Sequence, residues 1–154
     1  MNIGIVGSRK YQDRQSVINL VNALSADTQV KIITSKCKGV CSWAIEASAE
    51  RNMKVEIYAP DLKDIRSWFD IPKRYYQRNR ELIEACDVLY AFTSRDGLVG
   101  GTLFEVAYAV KAGIPTQLRS ENGIIQTIYQ NQFPFMNPPA FSDNWQAFFR
   151  QTFS

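Results

Sequence analysis

The sequence has no histidine. That absence removes every catalytic arrangement built on imidazole and leaves Glu, Asp, Tyr, Lys or Cys to move protons. Cysteine is scarce as well, with three residues, Cys37, Cys41 and Cys86. An odd count fits reduced thiols better than a disulfide framework. Cys37 and Cys41 can face each other across one helical turn, but with no imidazole and no second cysteine pair no metal is expected, and structural thiols are predicted. No uninterrupted apolar run is long enough to cross a bilayer, and Met1 leads straight into "NIGIV" without a basic n-region and apolar h-region, so a soluble cytoplasmic protein is expected with no membrane partner. A large charge excess is also missing. The formal net charge of +3 admits an anionic ligand but falls short of the basic patch that duplex binding shows, so nucleic acid is not expected as a partner.

What is present is one domain's worth of core: 154 residues, 45% hydrophobic and 21% charged, read as a single domain over 1–154. "NIGIV" is a short apolar run that ends at Gly7, and Val17, Leu20, Val21 and Leu24 recur at helical spacing within 13–25. The alternation continues with strands at 30–35 and 54–60, a helix at 40–52, a helix opened by Pro72, a strand "DVLYAFT", a helix at 102–112 and a short strand "PTQL". This order predicts an α/β fold, a Rossmann-like doubly wound sheet of about five parallel strands in the order 3-2-1-4-5 with helices on both faces. The segment 119–154 differs in kind, with prolines and aromatics before a last helix from Asp143, and reads as a strap, an aromatic lid or an oligomer contact.

In such a sheet ligands bind beyond the carboxyl ends of the strands, where the strand order reverses. That brings "GSRK" at 7–10 beside "TSRDGLVGGT" at 93–102. Gly7 permits a tight turn, while Ser8 and Arg9 offer a hydroxyl and a forked cation to an anion. The G-x-G-x-x-G fingerprint of dinucleotide binding is missing. Thr102 and Glu105 are spaced as a capping box, with the two side chains satisfying amides of the first helical turn. The alternative is that Gly100, Gly101 and Thr102 cradle a phosphate at the helix N-terminus and Glu105 points at the ligand. Arg78 and Arg80, on spacing alone, read as a solvated helix face, as do Lys36 and Lys38 at the sheet edge.

Taken together, "IGIVGSRKYQDRQ", "ITSKCKGVCSWAIEASAERNMKVEIYAPD", "YYQRNRELIEACDVLYAF" and "VGGTLFEVAYAVKAGIP" resemble the SLOG superfamily of Rossmann-like domains, which includes the YspA-like, DprA/Smf and lonely-guy phosphoribohydrolase groups. The resemblance covers a core of residues 2–118. In the lonely-guy enzymes a Gly-Gly-x-Gly-Thr-x-x-Glu turn binds the phosphate of a nucleoside monophosphate, and its Glu and an upstream Arg act as the N-glycosidic bond is cleaved. "GGTLFE" keeps Gly101, Thr102 and Glu105, and Arg78 stands at the matching upstream place. Nucleoside deoxyribosyltransferases carry a similar Gly-Thr-x-x-Glu with a nucleophilic Glu. Such a carboxylate can stabilise or attack an oxocarbenium-like centre without histidine. The turn after the second strand departs from the YspA-like pattern: "SKCKGVCSWA" keeps Gly39, Trp43 and Ala44 but lacks the earlier glycines and the Asp.

The resemblance implies a nucleotide or nucleotide-derived ligand held by Gly7, Ser8, Arg9, Asn79, Thr93, Gly100, Gly101 and Thr102, with Glu105 and Arg78 as the catalytic pair if the N-glycosidic bond is cleaved or transferred. No cofactor is expected, although a phosphate ligand can bring magnesium with it. The resemblance also implies a homo-oligomer. Its second implication is a sensor or sequestering protein for a nucleotide signal in a defence or anti-defence setting. A third is single-strand DNA binding through Arg9, Lys36, Lys38 and the aromatic tail.

Overall fold

The computed structural model describes residues 1–128, and the expected strap and the helix from Asp143 lie outside them. The chain alternates β1 (Asn2–Gly7), α1 (Arg14–Leu24), β2 (Lys31–Ser35), α2 (Val40–Glu50), β3 (Lys54–Tyr58), α3 (Asp70–Glu84), β4 (Val88–Thr93), α4 (Gly100–Lys111), β5 (Thr116–Ser120) and β6 (Ile125–Ile128). The strands form one sheet in the order β3-β2-β1-β4-β5-β6. The first five are parallel, while β6 runs antiparallel to β5 with Leu118 opposite Gln126. The fold is therefore α/β and Rossmann-like, as the alternation predicted. The sixth strand was not expected, because a four-residue segment after a Gly-containing turn carries too little periodicity to stand out from the extension.

The central strands are covered on both faces, which is why they read as continuous apolar runs. Alternate residues enter opposite cores. Ile3, Ile5, Ile32 and Phe92 pack under α1 and α2 with Val17, Val21 and Ala44, whereas Val6, Ile33, Leu89 and Ala91 pack under α3 and α4 with Leu82, Ile83, Val106 and Val110. Phe92 is fully buried and meets Tyr11 edge to face at 5.3 Å. Burying such a ring contributes roughly 2–3 kcal/mol.

Local signals set the helix ends. Asp13 caps α1, its carboxylate accepting from the Ser16 amide at 3.3 Å. Pro72 lies in the first turn of α3, two residues after its start at Asp70, where its missing amide proton costs no helical bond. On the far side of the sheet α4 packs against α3 through Phe104, whose ring lies 4.6 Å from Tyr76, with the Arg80 guanidinium 5.7 Å from it. No helix among the described residues is long and apolar enough to cross a membrane.

Candidate functional site

Because β1 and β4 are neighbours, the turns that follow them meet at the carboxyl edge of the sheet. The Ser8 amide donates to the Phe92 carbonyl at 3.0 Å, and Lys10 pairs with Asp96 at 3.1 Å, joining the two turns. The loop after β5 closes this edge. The Glu121 amide donates to the Thr93 carbonyl at 3.0 Å, and its carboxylate accepts from the Gln12 amide at 2.5 Å.

Over this edge lies an open cavity of about 510 Å³, a volume suited to a small ligand. Gly7, Ser8, Arg9, Arg78, Asn79, Gly100, Gly101, Thr102 and Glu105 line it. Thr93 does not line it: it is buried at the end of β4, paired with Ser120. Its position in the polar turn pointed to the cavity, but β5 and the loop after it cover that place. The sequence reading missed Lys10, Cys37, Ile71, Pro72, Tyr75, Tyr76 and Val99, which complete the wall. Ile71, Pro72, Tyr75, Tyr76, Arg78 and Asn79 recur at helical spacing along one stripe of α3, so the signal that would have found them was the polar end of that stripe.

The capping box is not formed. Helix α4 begins at Gly100, with Val99 as its cap residue and no side-chain cap bond, so Thr102 is already inside the first turn, buried, and Glu105 lies in the second turn. Gly100 enters the helix at φ +60, a conformation that favours glycine. Gly101 has no such need. A Cβ at either residue would meet nothing within 4 Å, so protein packing explains neither glycine, and both residues line the open cavity at a helix start.

Arg78 is also not on a solvated face. It is 7% exposed and donates from Nε to Asn79 Oδ1 at 2.7 Å, from Nη2 towards Cys37 Sγ at 3.8 Å, and lies 5.4 Å from the Tyr75 ring. Burying a guanidinium is costly without partners, and the partners here are neutral oxygen, sulfur and an aromatic face. Arg80 on the next position instead packs on Phe104. Lys36 and Lys38 are exposed, as their spacing predicted.

Glu105 lies partly buried in the cavity wall, and no side chain among the described residues hydrogen-bonds to its carboxyl. Burial pushes its pKa up to about 8, with the Arg78 charge pulling it down and Cys37 pushing it further up. At neutral pH the carboxyl therefore holds its proton in most molecules. Cys37 moves the other way, held well below the ordinary thiol range by its neighbour Cys41 and then by Ser35, Arg78 and Arg9, against the opposing effect of burial. The cavity thus brings together a carboxyl shifted towards its protonated form, a thiol shifted towards its thiolate and a buried cation.

No family model matches the chain, and no curated protein sequence matches it. Solved structures do share its fold. DNA processing protein A of Streptococcus pneumoniae is similar at a TM-score of 0.58 and 16% identity, over 76% of this chain and 49% of that one. DNA processing protein A of Helicobacter pylori, described for its single-stranded DNA binding mode, is similar at 0.57 and 18%, over 77% and 64%. The shared fold is Rossmann-like. At these identities the likeness is one of fold, and the chain spans about half of the first neighbour and less than two thirds of the second. The second neighbour also corrects the expectation drawn from net charge, that nucleic acid is not a partner for such a domain. Net charge is a sum over the whole surface, whereas a single strand is held by local cations and aromatic faces.

Proposed function

We propose that the cavity binds a nucleotide, with the phosphate at the start of α4 and the ribose towards Glu105. The observation that carries this reading is the unpartnered carboxyl of Glu105 beside two glycines whose side-chain space is open. Free amides at a helix N-terminus suit phosphate, and Arg78 and the exposed Arg9 add positive charge from two other elements. The raised pKa decides which role Glu105 can take. A nucleophile must be ionised, so a carboxyl that keeps its proton at neutral pH suits a hydrogen-bond donor to a ribose hydroxyl or the acid that protonates a departing base. Once its proton has left, the anion faces Arg78 and can steady positive charge at the anomeric carbon.

A second reading places an unpaired nucleotide of a single DNA strand in the same cavity. It is favoured by the exposed rings of Trp68, Phe69, Tyr75 and Tyr76 on and before the cavity stripe of α3, with the exposed Arg9 in the cavity lining and the exposed Lys36 and Lys38 either side of Cys37 in the chain. Mass spectrometry of bound and free fractions separates the readings after incubation with nucleoside monophosphates, deoxynucleotides, ADP-ribose, cyclic nucleotides and short deoxyoligonucleotides. Free base and sugar phosphate would establish cleavage, and a retained intact nucleotide would establish binding alone. Retention of oligonucleotides only would favour the strand.

A further inference from the structure

Cys37 and Cys41 have no role in the nucleotide reading, yet one of them opens onto the cavity. Cys37 sits between β2 and α2, half-buried, and lines the cavity. Cys41 is buried in the first turn of α2, its thiol directed at the Ile5 carbonyl at 3.9 Å. The Ser42 amide donates to the Cys37 carbonyl at 3.2 Å, which folds the backbone at Cys37 back over the turn that carries Cys41. The hydrogen bond between the two side chains is the first cause that holds the Cys37 thiol low and pushes the buried Cys41 thiol up. Cys86 is buried in the other core with no thiol beside it.

We infer that Cys37 is a peroxide-reactive thiol and Cys41 its resolving partner, so that a small hydroperoxide entering the cavity converts the pair to a disulfide. Cys37 in the cavity lining, the Arg78 guanidinium donating towards its sulfur at 3.8 Å and the buried Cys41 thiol four residues on together make an arrangement that neither cysteine makes alone. The Cys37 thiolate attacks one peroxide oxygen, the O–O bond breaks, and the other oxygen leaves as hydroxide or alkoxide, which takes up a proton. Cys37 is then a sulfenic acid, oxidised by two electrons as the peroxide is reduced. The Cys41 sulfur attacks the Cys37 sulfur, its proton passes to the departing oxygen, and water is released as the disulfide forms. The low thiol pKa of Cys37 supports the first step, since the thiolate is the nucleophile. The product removes the negative charge next to Arg78 and relieves the repulsion that Cys37 exerts on Glu105.

The sequence makes the test direct, because Lys38 lies between the two cysteines and trypsin separates them unless they are linked. The reduced full chain is treated with an equimolar amount of hydrogen peroxide, alkylated under denaturing conditions, digested and mapped by mass spectrometry. The expected result is a linked pair of peptides carrying Cys37 and Cys41, with Cys86 alkylated. In Cys41→Ser, dimedone should trap Cys37 as its sulfenic acid adduct. Alkylation of Cys37 to the same extent with and without peroxide would overturn the inference, as would oxidation that falls first on Cys86. A dimedone adduct in the unaltered chain with no linked peptides would overturn it as well, because Cys41 would then resolve nothing.

Discussion

Replacing Glu105 by glutamine keeps the side-chain volume and the hydrogen-bonding reach but removes the ionisation, which makes it a direct test of the electrostatics of the cavity. In the folded chain the carboxyl titrates at about 8, against an ordinary value of 4.5. Between those values the folded state holds a proton that the unfolded chain releases, so stability falls as pH rises, by about 1.4 kcal/mol per pH unit. The loss is complete above the folded pKa and absent below the unfolded one. From about pH 5.5 to about pH 8.5 the full difference is about 3 kcal/mol, and water at the cavity mouth reduces it to about 2 kcal/mol. Glu105→Gln escapes this loss. From about pH 5.5 to about pH 8.5 the melting temperature of the variant should therefore gain roughly 4–8 °C on that of the unaltered chain. Thermal unfolding followed by circular dichroism at several pH values reads the difference, and groups common to both proteins cancel. Parallel melting curves across that range would refute the claim that a buried, proton-holding carboxyl lies in the cavity wall.

Gly101→Ala should leave the fold intact and raise its stability by about 0.5–1 kcal/mol, since the position has helical geometry and open space, yet it should weaken nucleotide binding roughly tenfold or more by blocking approach to the helix start. Calorimetric titration with adenosine monophosphate together with a melting curve checks both halves. Gly7→Ala should do the opposite to stability. Its Cβ would lie 2.6 Å from Val40 Cγ2 and 2.8 Å from Val40 Cβ, so a loss of about 1–3 kcal/mol in chemical denaturation is expected. Arg78→Gln removes the cation that favours both anions, so the alkylation rate of Cys37 should reach its midpoint at a higher pH than in the unaltered chain. An unshifted profile would show that the guanidinium does not act on the thiol.

The fold was legible because its signals are periodic and local. Apolar strands ending in polar turns, helices with spaced Val and Leu, and a strand count near five were all in the sequence, and the crevice between the first and fourth strands followed from topology. The cavity lining was legible at backbone turns, as at Gly7 and at Gly100 and Gly101, and at the acid that breaks an apolar helix, Glu105. Three kinds of information were not. The start of α4 lies two residues before Thr102, because Val99 caps through backbone geometry alone, and so a spacing that reads as a capping box holds no cap. Arg78 looks solvated in sequence because its burial depends on how α3 leans over the sheet edge. Cys37 joins the wall only through the turn that follows β2, which no periodicity describes.

If the cavity between the β1 turn, α3 and the start of α4 holds a nucleotide, a titration of the isotopically labelled chain with adenosine monophosphate, followed by amide NMR, will show it at those residues. The amides of Ser8, Gly100, Gly101 and Thr102 should shift together and saturate with one affinity, and in Gly101→Ala the midpoint should move roughly tenfold or more to higher nucleotide concentration while the rest of the spectrum is kept. Saturable shifts confined to other parts of the sheet, or no shifts with this nucleotide and with a short deoxyoligonucleotide alike, would contradict it.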